Sequence, residues 1–204
     1  MTPRTARALR IGIVLAAAAL AAVAAFTAGR LLAPAPERVG TILTNPQPVA
    51  DLPLARGPEG RETTIGAFAG GADWTLVFFG FTNCPDVCPL TMGSLAETYR
   101  DLGEPDAVQV AMITVDPQND DAARTHAYAA GFHPAFVGFA GSAEQIAAAA
   151  QRFFVGYAGE GRDIVHTEAV GLVDRDGVLR AVYAADAVPR IGDDLVDLVA
   201  GDPL

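Results

Sequence analysis

The sequence predicts an α/β domain with a central mixed sheet, its core strands parallel, flanked by helices and closed by an antiparallel hairpin. Three observations carry this expectation. The runs Trp74–Phe79 and Val108–Val115 are apolar on both parities near their centres, as strands buried on both faces are. Each is followed by a segment with helical spacing, the alternation that builds a parallel sheet. Near the C-terminus, Glu168–Val173 and Val178–Tyr183 flank Asp174-Arg175-Asp176-Gly177, a hairpin turn.

The N-terminal residues 1–30 read as a membrane anchor. Arg4, Arg7 and Arg10 precede an uncharged apolar run from Ile11 to Gly29. At about 1.5 Å per residue, roughly 19 residues just span the hydrocarbon core. The basic flank keeps the N-terminus in the cytoplasm, so the domain faces the periplasm or an equivalent exported compartment, tethered to the inner membrane by a single pass. A cleaved signal peptide competes with this reading, because Ala22-Val23-Ala24 offers a small-x-small site. Residues 31–48 form a Pro-rich tether, stiffened by Ala33-Pro34-Ala35-Pro36. Residues 49–204 form the domain.

Val49–Leu54 reads as a short opening strand, and Gly57–Gly60 as a turn. Thr63–Gly66 is a short strand or turn. After the strand at Trp74, a helix runs from Leu90 to Leu102 with Leu90, Leu95 and Tyr99 among its apolar positions. The strand at Val108 stops at Asp116-Pro117, which reads as a helix-start turn. Asn119 and Asp120 are good N-caps for a helix to about Ala130. A third strand spans Ala135–Ala140. Ser142 with Gln145 has the capping-box pattern, and its helix runs to about Phe154. Gly156–Gly161 is a loop. A closing amphipathic helix, Val188–Val199, places Ile191, Leu195, Leu198 and Val199 on one face.

The net charge of −10 argues against nucleic acid as a partner. Two cysteines are too few for a disulfide scaffold. Three histidines exclude a histidine-rich metal store. Ser-His-Asp order, a phosphate-binding glycine loop and paired carboxylates are all missing, so neither hydrolysis nor nucleotide binding is expected, and the protein is not expected to be a conventional enzyme.

Both cysteines lie in Gly80-Phe81-Thr82-Asn83-Cys84-Pro85-Asp86-Val87-Cys88-Pro89, where a buried strand hands over to a helix. A helix N-terminus carries partial positive charge and free N–H groups, which favour thiolate over thiol. Four residues apart, the two sulfurs can face one side. They can clamp a soft metal ion or close into a disulfide. Two thiolates under-coordinate a metal, and imidazole suits copper. His166, at a loop-to-strand junction between Asp163 and Thr167, is the candidate third ligand. His126 and His133 read as ordinary, solvated side chains, and Asp86 as a solvated acid at a helix start.

The strand, CysxxxCys, helix order with a late hairpin resembles the thioredoxin-like architecture. The cysteine motif itself resembles the signature of the Sco/SenC family, and the resemblance continues at Thr114-Val115-Asp116-Pro117, Phe136–Gly141 and Asp163-Ile164-Val165-His166-Thr167. It implies copper bound by Cys84, Cys88 and His166. It also implies delivery of that copper to, or reduction of, the binuclear site of cytochrome c oxidase subunit II, with other copper chaperones as further partners. Where many members carry an acid before the histidine, this chain has Val165, which puts any role of that acid in doubt. The rival reading is a thiol-disulfide oxidoreductase, with Cys84 and Cys88 as its redox pair and His166 tuning them. A thiol peroxidase is a third reading, opposed by the copper-competent histidine.

Overall fold

Residues 18–22, 37–202 and 204 are described by the structure, a computed structural model. The chain divides into two units, Met1–Glu37 and Arg38–Leu204. In the first, residues 18–22 are helical and exposed. The rest of the expected anchor lies outside the described residues, among which no helix is long and apolar enough to cross a membrane.

The second unit runs β1 (Thr41–Pro48), β2 (Pro53–Arg56), β3 (Arg61–Thr64), α1 (Ile65–Ala69), β4 (Trp74–Gly80) and α2 (Val87–Asp101). It continues with β5 (Val108–Thr114), α3 (Ala122–Ala130), β6 (Val137–Ala140), α4 (Ala143–Arg152), β7 (Tyr157–Ala158) and β8 (Val165–His166). The hairpin β9 (Ala169–Asp174) and β10 (Val178–Ala184), then α5 (Ile191–Val199), complete it. One eight-stranded sheet has the order β1-β10-β9-β4-β5-β6-β2-β3, and β7 pairs with β8 apart from it. The sheet is mixed, as the sequence predicts, though only its central ladders are parallel. Parallel pairing requires a crossover, and only β4–α2–β5 and β5–α3–β6 supply one. The remaining ladders are antiparallel.

Two elements depart from the sequence reading at the N-terminal side. Thr41–Pro48, expected within the tether, is a strand paired with β10. It is an edge strand, where Pro46 and Pro48 are tolerated because one row of backbone groups faces solvent. The short helix α1 follows β3, with Thr64 accepting from the Ala67 N–H at 3.1 Å.

Central strands β4 and β5 are buried almost throughout. Cys88, Met92, Leu95, Ala96 and Tyr99 of α2 are buried, the i, i+4, i+7 face expected of a helix packed on a sheet. Leu90 instead points to solvent, 68% exposed. In α5, Ile191, Leu195 and Leu198 are buried, while Val199 is largely outside the core and its place on the inner face goes to Asp194. The capping box at Ser142 forms as expected, with Gln145 completing it.

Asp194 is 1% exposed. Its carboxylate accepts from Val39 N–H at 2.9 Å, Gly40 N–H at 3.0 Å and the Tyr183 hydroxyl at 3.0 Å. Arg38 donates to the Asp194 carbonyl and to Asp197. These bonds fix the point where the chain enters the second unit. Burial pushes the Tyr183 hydroxyl pKa far up, and the neighbouring Asp194 charge adds to the shift.

β6 and α3 approach backbone to backbone. A Cβ on Gly138 would lie 2.2 Å from the amide nitrogen of His126 and 2.2 Å from the carbonyl carbon of Thr125. Gly138→Ala is therefore expected to cost on the order of 3 kcal/mol, seen as a lower urea midpoint at constant m-value; a cost below about 1 kcal/mol would mean that this contact yields easily. Asp194→Ala strands three donors and is expected to lose about 3 kcal/mol or more. Trypsin should then cut faster after Arg38; an unchanged cleavage rate would deny the clamp.

Candidate metal centre

The ladder between β4 and β5 ends at the pair Gly80–Thr114, and Val115 N–H donates to Gly80 O at 2.8 Å. The chain then loops from Phe81 to Asp86 before α2 begins. Asp86 occupies the N-cap of α2 but makes no side-chain cap bond. The sulfur of Cys84 takes up that role. The Cys88 N–H points at Cys84 Sγ at 3.4 Å, so one orphan amide of the helix start faces sulfur. Cys88 is fully buried on the second residue of α2, and Cys84 is half-buried. Gly80 makes room for this. A Cβ there would meet Phe78 at 2.7 Å and Cys88 Sγ at 3.0 Å.

The small ribbon β7–β8, in a stretch the sequence predicts as loop and junction, presents His166. Tyr157 pairs with His166 and Ala158 with Val165. Thr167 N–H donates to Gly156 O at 2.8 Å, and Gly156 N–H donates to the Thr167 hydroxyl at 3.0 Å. His166 Nδ1 is 3.1 Å from the Thr167 carbonyl oxygen. A carbonyl only accepts, so Nδ1 carries the proton and the lone pair resides on Nε2. Nε2 lies 3.6 Å from Cys88 Sγ. The rings of Phe78 and Phe81 meet the imidazole edge-on, at centroid distances of 5.9 and 6.1 Å.

Cys84 Sγ, Cys88 Sγ and a His166 ring nitrogen lie within 4.8 Å of one another. A trigonal ion with metal–sulfur bonds of roughly 2.3 Å spaces its donors about 4 Å apart. Two soft sulfurs and one imidazole with a fixed tautomer match a soft, thiophilic ion such as copper. Both cysteines are free thiols. Burial pushes the Cys88 thiol pKa strongly up, and hydrogen bonding and charge from Cys84 add to it. At Cys88 this burial works against the helix start, which favours thiolate. A metal bound there displaces the Cys88 proton.

The remaining expected residues fall outside this cluster. Asp86 and Asp163 are exposed. Asp116 closes the turn after β5, its carboxylate accepting from Asn119. His126 half-buries against β6 and accepts from Gly138 N–H. His133 is not solvated. It is 6% exposed, stacks edge-on against Tyr99 and lies 3.4 Å from Glu104.

The sequence reading missed a group beneath the cysteine loop. Asp120 is not a cap. The N-cap of α3 is Asp121, which accepts from Arg124 N–H at 2.7 Å, while Asp120 is 2% exposed and bonded to Thr82 and Thr114. The Tyr128 hydroxyl is buried without a hydrogen-bond partner among the described residues. Burial raises its pKa most, and negative charge at Cys88, Cys84 and Asp120 raises it further. A run of Asn-Asp-Asp before a helix signals a cap, and no pattern in it says which acid turns inward.

The family model described as SCO1/SenC matches residues 57–196. The mitochondrial protein SCO2 homolog of Mus musculus is 40% identical over 119 residues, covering 54% of this chain and 47% of its own. The corresponding human protein is 36% identical over 133 residues, 61% of this chain and 49% of its own. The chain thus spans about half the length of these curated relatives. Among solved structures, apo Sco1 from Thermus thermophilus superposes with a TM-score of 0.67 at 34% identity, covering 82% of this chain and 99% of its own. Arabidopsis thaliana ScoI with copper bound gives a TM-score of 0.63 at 28% identity, over 80% and 99% of the two chains. A thioredoxin-like sheet ending in this cysteine loop, matched by that family model over residues 57–196, means that the chain belongs to the SCO1/SenC family.

Proposed function

We propose that the protein is a copper chaperone: Cys84, Cys88 and His166 hold one copper ion and pass it to the binuclear site of cytochrome c oxidase subunit II during assembly. The observation that carries this reading is the convergence of two sulfurs and one imidazole nitrogen within 4.8 Å. Family members from Arabidopsis thaliana and Bradyrhizobium japonicum, each 28% identical, have structures with copper bound.

The site is open on one side, as a donor of copper requires. Cys84 and His166 are half-exposed, whereas Cys88 is fully buried. An incoming thiolate can displace Cys84 and His166 first, with Cys88 releasing last. Leu90 and Val165, 68% and 69% exposed, adjoin the ligands in sequence and offer apolar footing for a partner. The arginine-flanked run in residues 1–30 would hold the domain at the periplasmic face of the inner membrane, close to membrane-embedded targets, with residues 31–48 leading into it.

Reduced full-length protein is expected to take up one copper per chain, with a thiolate-to-copper(II) absorption band. His166→Ala should abolish that band and lower copper content. If wild type binds no copper, or the variant binds it equally well, the chaperone reading fails and the cysteines are to be pursued as a redox couple. In the reduced, metal-free protein, iodoacetamide should modify Cys84 well before Cys88, by peptide mapping, and copper should protect both. Equal rates for the two would contradict a site that opens through Cys84.

A further inference from the structure

A buried carboxylate has no part in the ligand set yet holds the loop that bears one ligand. Asp120 lies at the end of the turn after β5 and is 2% exposed. One oxygen, Oδ2, accepts from Thr82 N–H at 2.8 Å and from the Thr114 hydroxyl at 2.8 Å. The other, Oδ1, accepts from the Thr82 hydroxyl at 2.5 Å and faces Arg124 Nε at 3.3 Å. Arg124 in turn donates to the Thr82 hydroxyl at 2.8 Å and to the Asn83 side-chain oxygen at 3.0 Å. Thr82 and Asn83 are the two residues before Cys84. Beyond Gly80 the chain has no ladder partner on β5. Between Gly80 and Cys84, Phe81 is buried in the core, and the side-chain hydrogen bonds that tie Thr82 and Asn83 to the rest of the fold are these from Asp120 and Arg124.

We propose that Asp120, acting through Thr82 and Arg124, is a positioning residue that sets where Cys84 Sγ stands relative to Cys88 Sγ and His166 Nε2. The inference rests on the three-ligand reading above. Burying a carboxylate costs free energy unless it is paired and hydrogen-bonded. Asp120 meets three donors and one guanidinium, so the charge is compensated only while the loop keeps this shape. Asn in its place would put an NH₂ where two donors already point, whichever way the amide turns. The loop would shift, and Cys84 with it.

The test uses full-length protein carrying Asp120→Asn, Thr82→Val or Arg124→Gln, with Asp194→Asn as a variant weakened at a clamp on α5. For each, copper dissociation into excess chelator, the position of the thiolate-to-copper(II) band and the thermal midpoint are measured. Asp120→Asn is expected to release copper at least about tenfold faster, as loss of a group supporting a ligand does, with a displaced band. Thr82→Val and Arg124→Gln should move both readouts in the same direction, by less. Asp194→Asn should lower the midpoint and leave rate and band unchanged. If Asp120→Asn and Thr82→Val melt earlier but keep the wild-type rate and band, Asp120 is structural only and the proposal falls. Should Asp120→Asn fail to fold, Thr82→Val and Arg124→Gln decide the question on the same readouts.

Failure of the copper reading is told apart by a copper-free measurement. In exchange with oxidised glutathione, Cys84 and Cys88 form a disulfide and lose two electrons and two protons, which reduce the glutathione to two thiols. The equilibrium constant depends on how the two sulfurs are held. A tenfold change in the loop variants, about 30 mV for two electrons, supports the positioning role whether or not copper binds. An unchanged constant overturns it.

Discussion

The β4–β5 ladder stops at Gly80 and Thr114, and the site is built on what happens immediately past that end. A strand carries its own register through backbone hydrogen bonds. A loop leaving the sheet has to find its register elsewhere. Here the loop turns over the end of β5, and α2 begins with Cys88 already inside the core. Gly80 has to be glycine in this arrangement, since a Cβ would press on both Phe78 and the Cys88 sulfur. The position of Cys88 is thus dictated by the central sheet, and that of Cys84 by the side chains under the loop. His166 comes from a separate two-stranded ribbon, with the Phe78 ring of β4 edge-on against its imidazole.

This origin from three supports gives the ligands unequal freedom. Cys88 is fully buried, and that burial pushes its thiol pKa strongly up. Its loss of solvation works against the attraction of the helix start, and a metal that binds the sulfur displaces the proton to solvent. Cys84 and His166 remain partly open. The Nδ1 bond to Thr167 holds the imidazole with Nε2 toward the sulfurs, so ordering that ring on binding costs little. One fixed ligand and two accessible ones suit the copper transfer proposed above.

Much of this was legible in sequence because it depends on local signals. The two-sided apolar runs, the Asp174–Gly177 turn and the Ser142 capping box each announce themselves within a few residues. The pairing of Cys84 and Cys88 with His166 followed from ligand chemistry and family resemblance, and the fold brings those side chains together. The misses are non-local. β1 carries two prolines and no burial alternation, so only its partner β10 identifies it as a strand. The β7–β8 ribbon has two residues per strand, too few for a period. Asn119 and Asp120 read as caps although Asp121 holds that place, and only the packed position of Thr82, 38 residues away, distinguishes Asp120. His133 looked solvated because its partners Tyr99 and Glu104 are distant in sequence.

Asp120 and Asp194 show the same physical solution at two places where the chain leaves regular pairing. Each is a carboxylate almost without solvent exposure. Each accepts hydrogen bonds from consecutive or neighbouring backbone and hydroxyl donors that no strand or helix satisfies. A carboxylate has about four acceptor sites in a compact group, so it can gather several orphan donors where a neutral amide would present a conflicting NH₂. The cost of burying the charge is met only when all the donors are present. Such a joint is therefore satisfied in one geometry and strained in others. At Asp194 it fixes an entry point of the chain. At Asp120 the donors lie on the segment leading into Cys84, and the same all-or-none satisfaction is transmitted to a ligand.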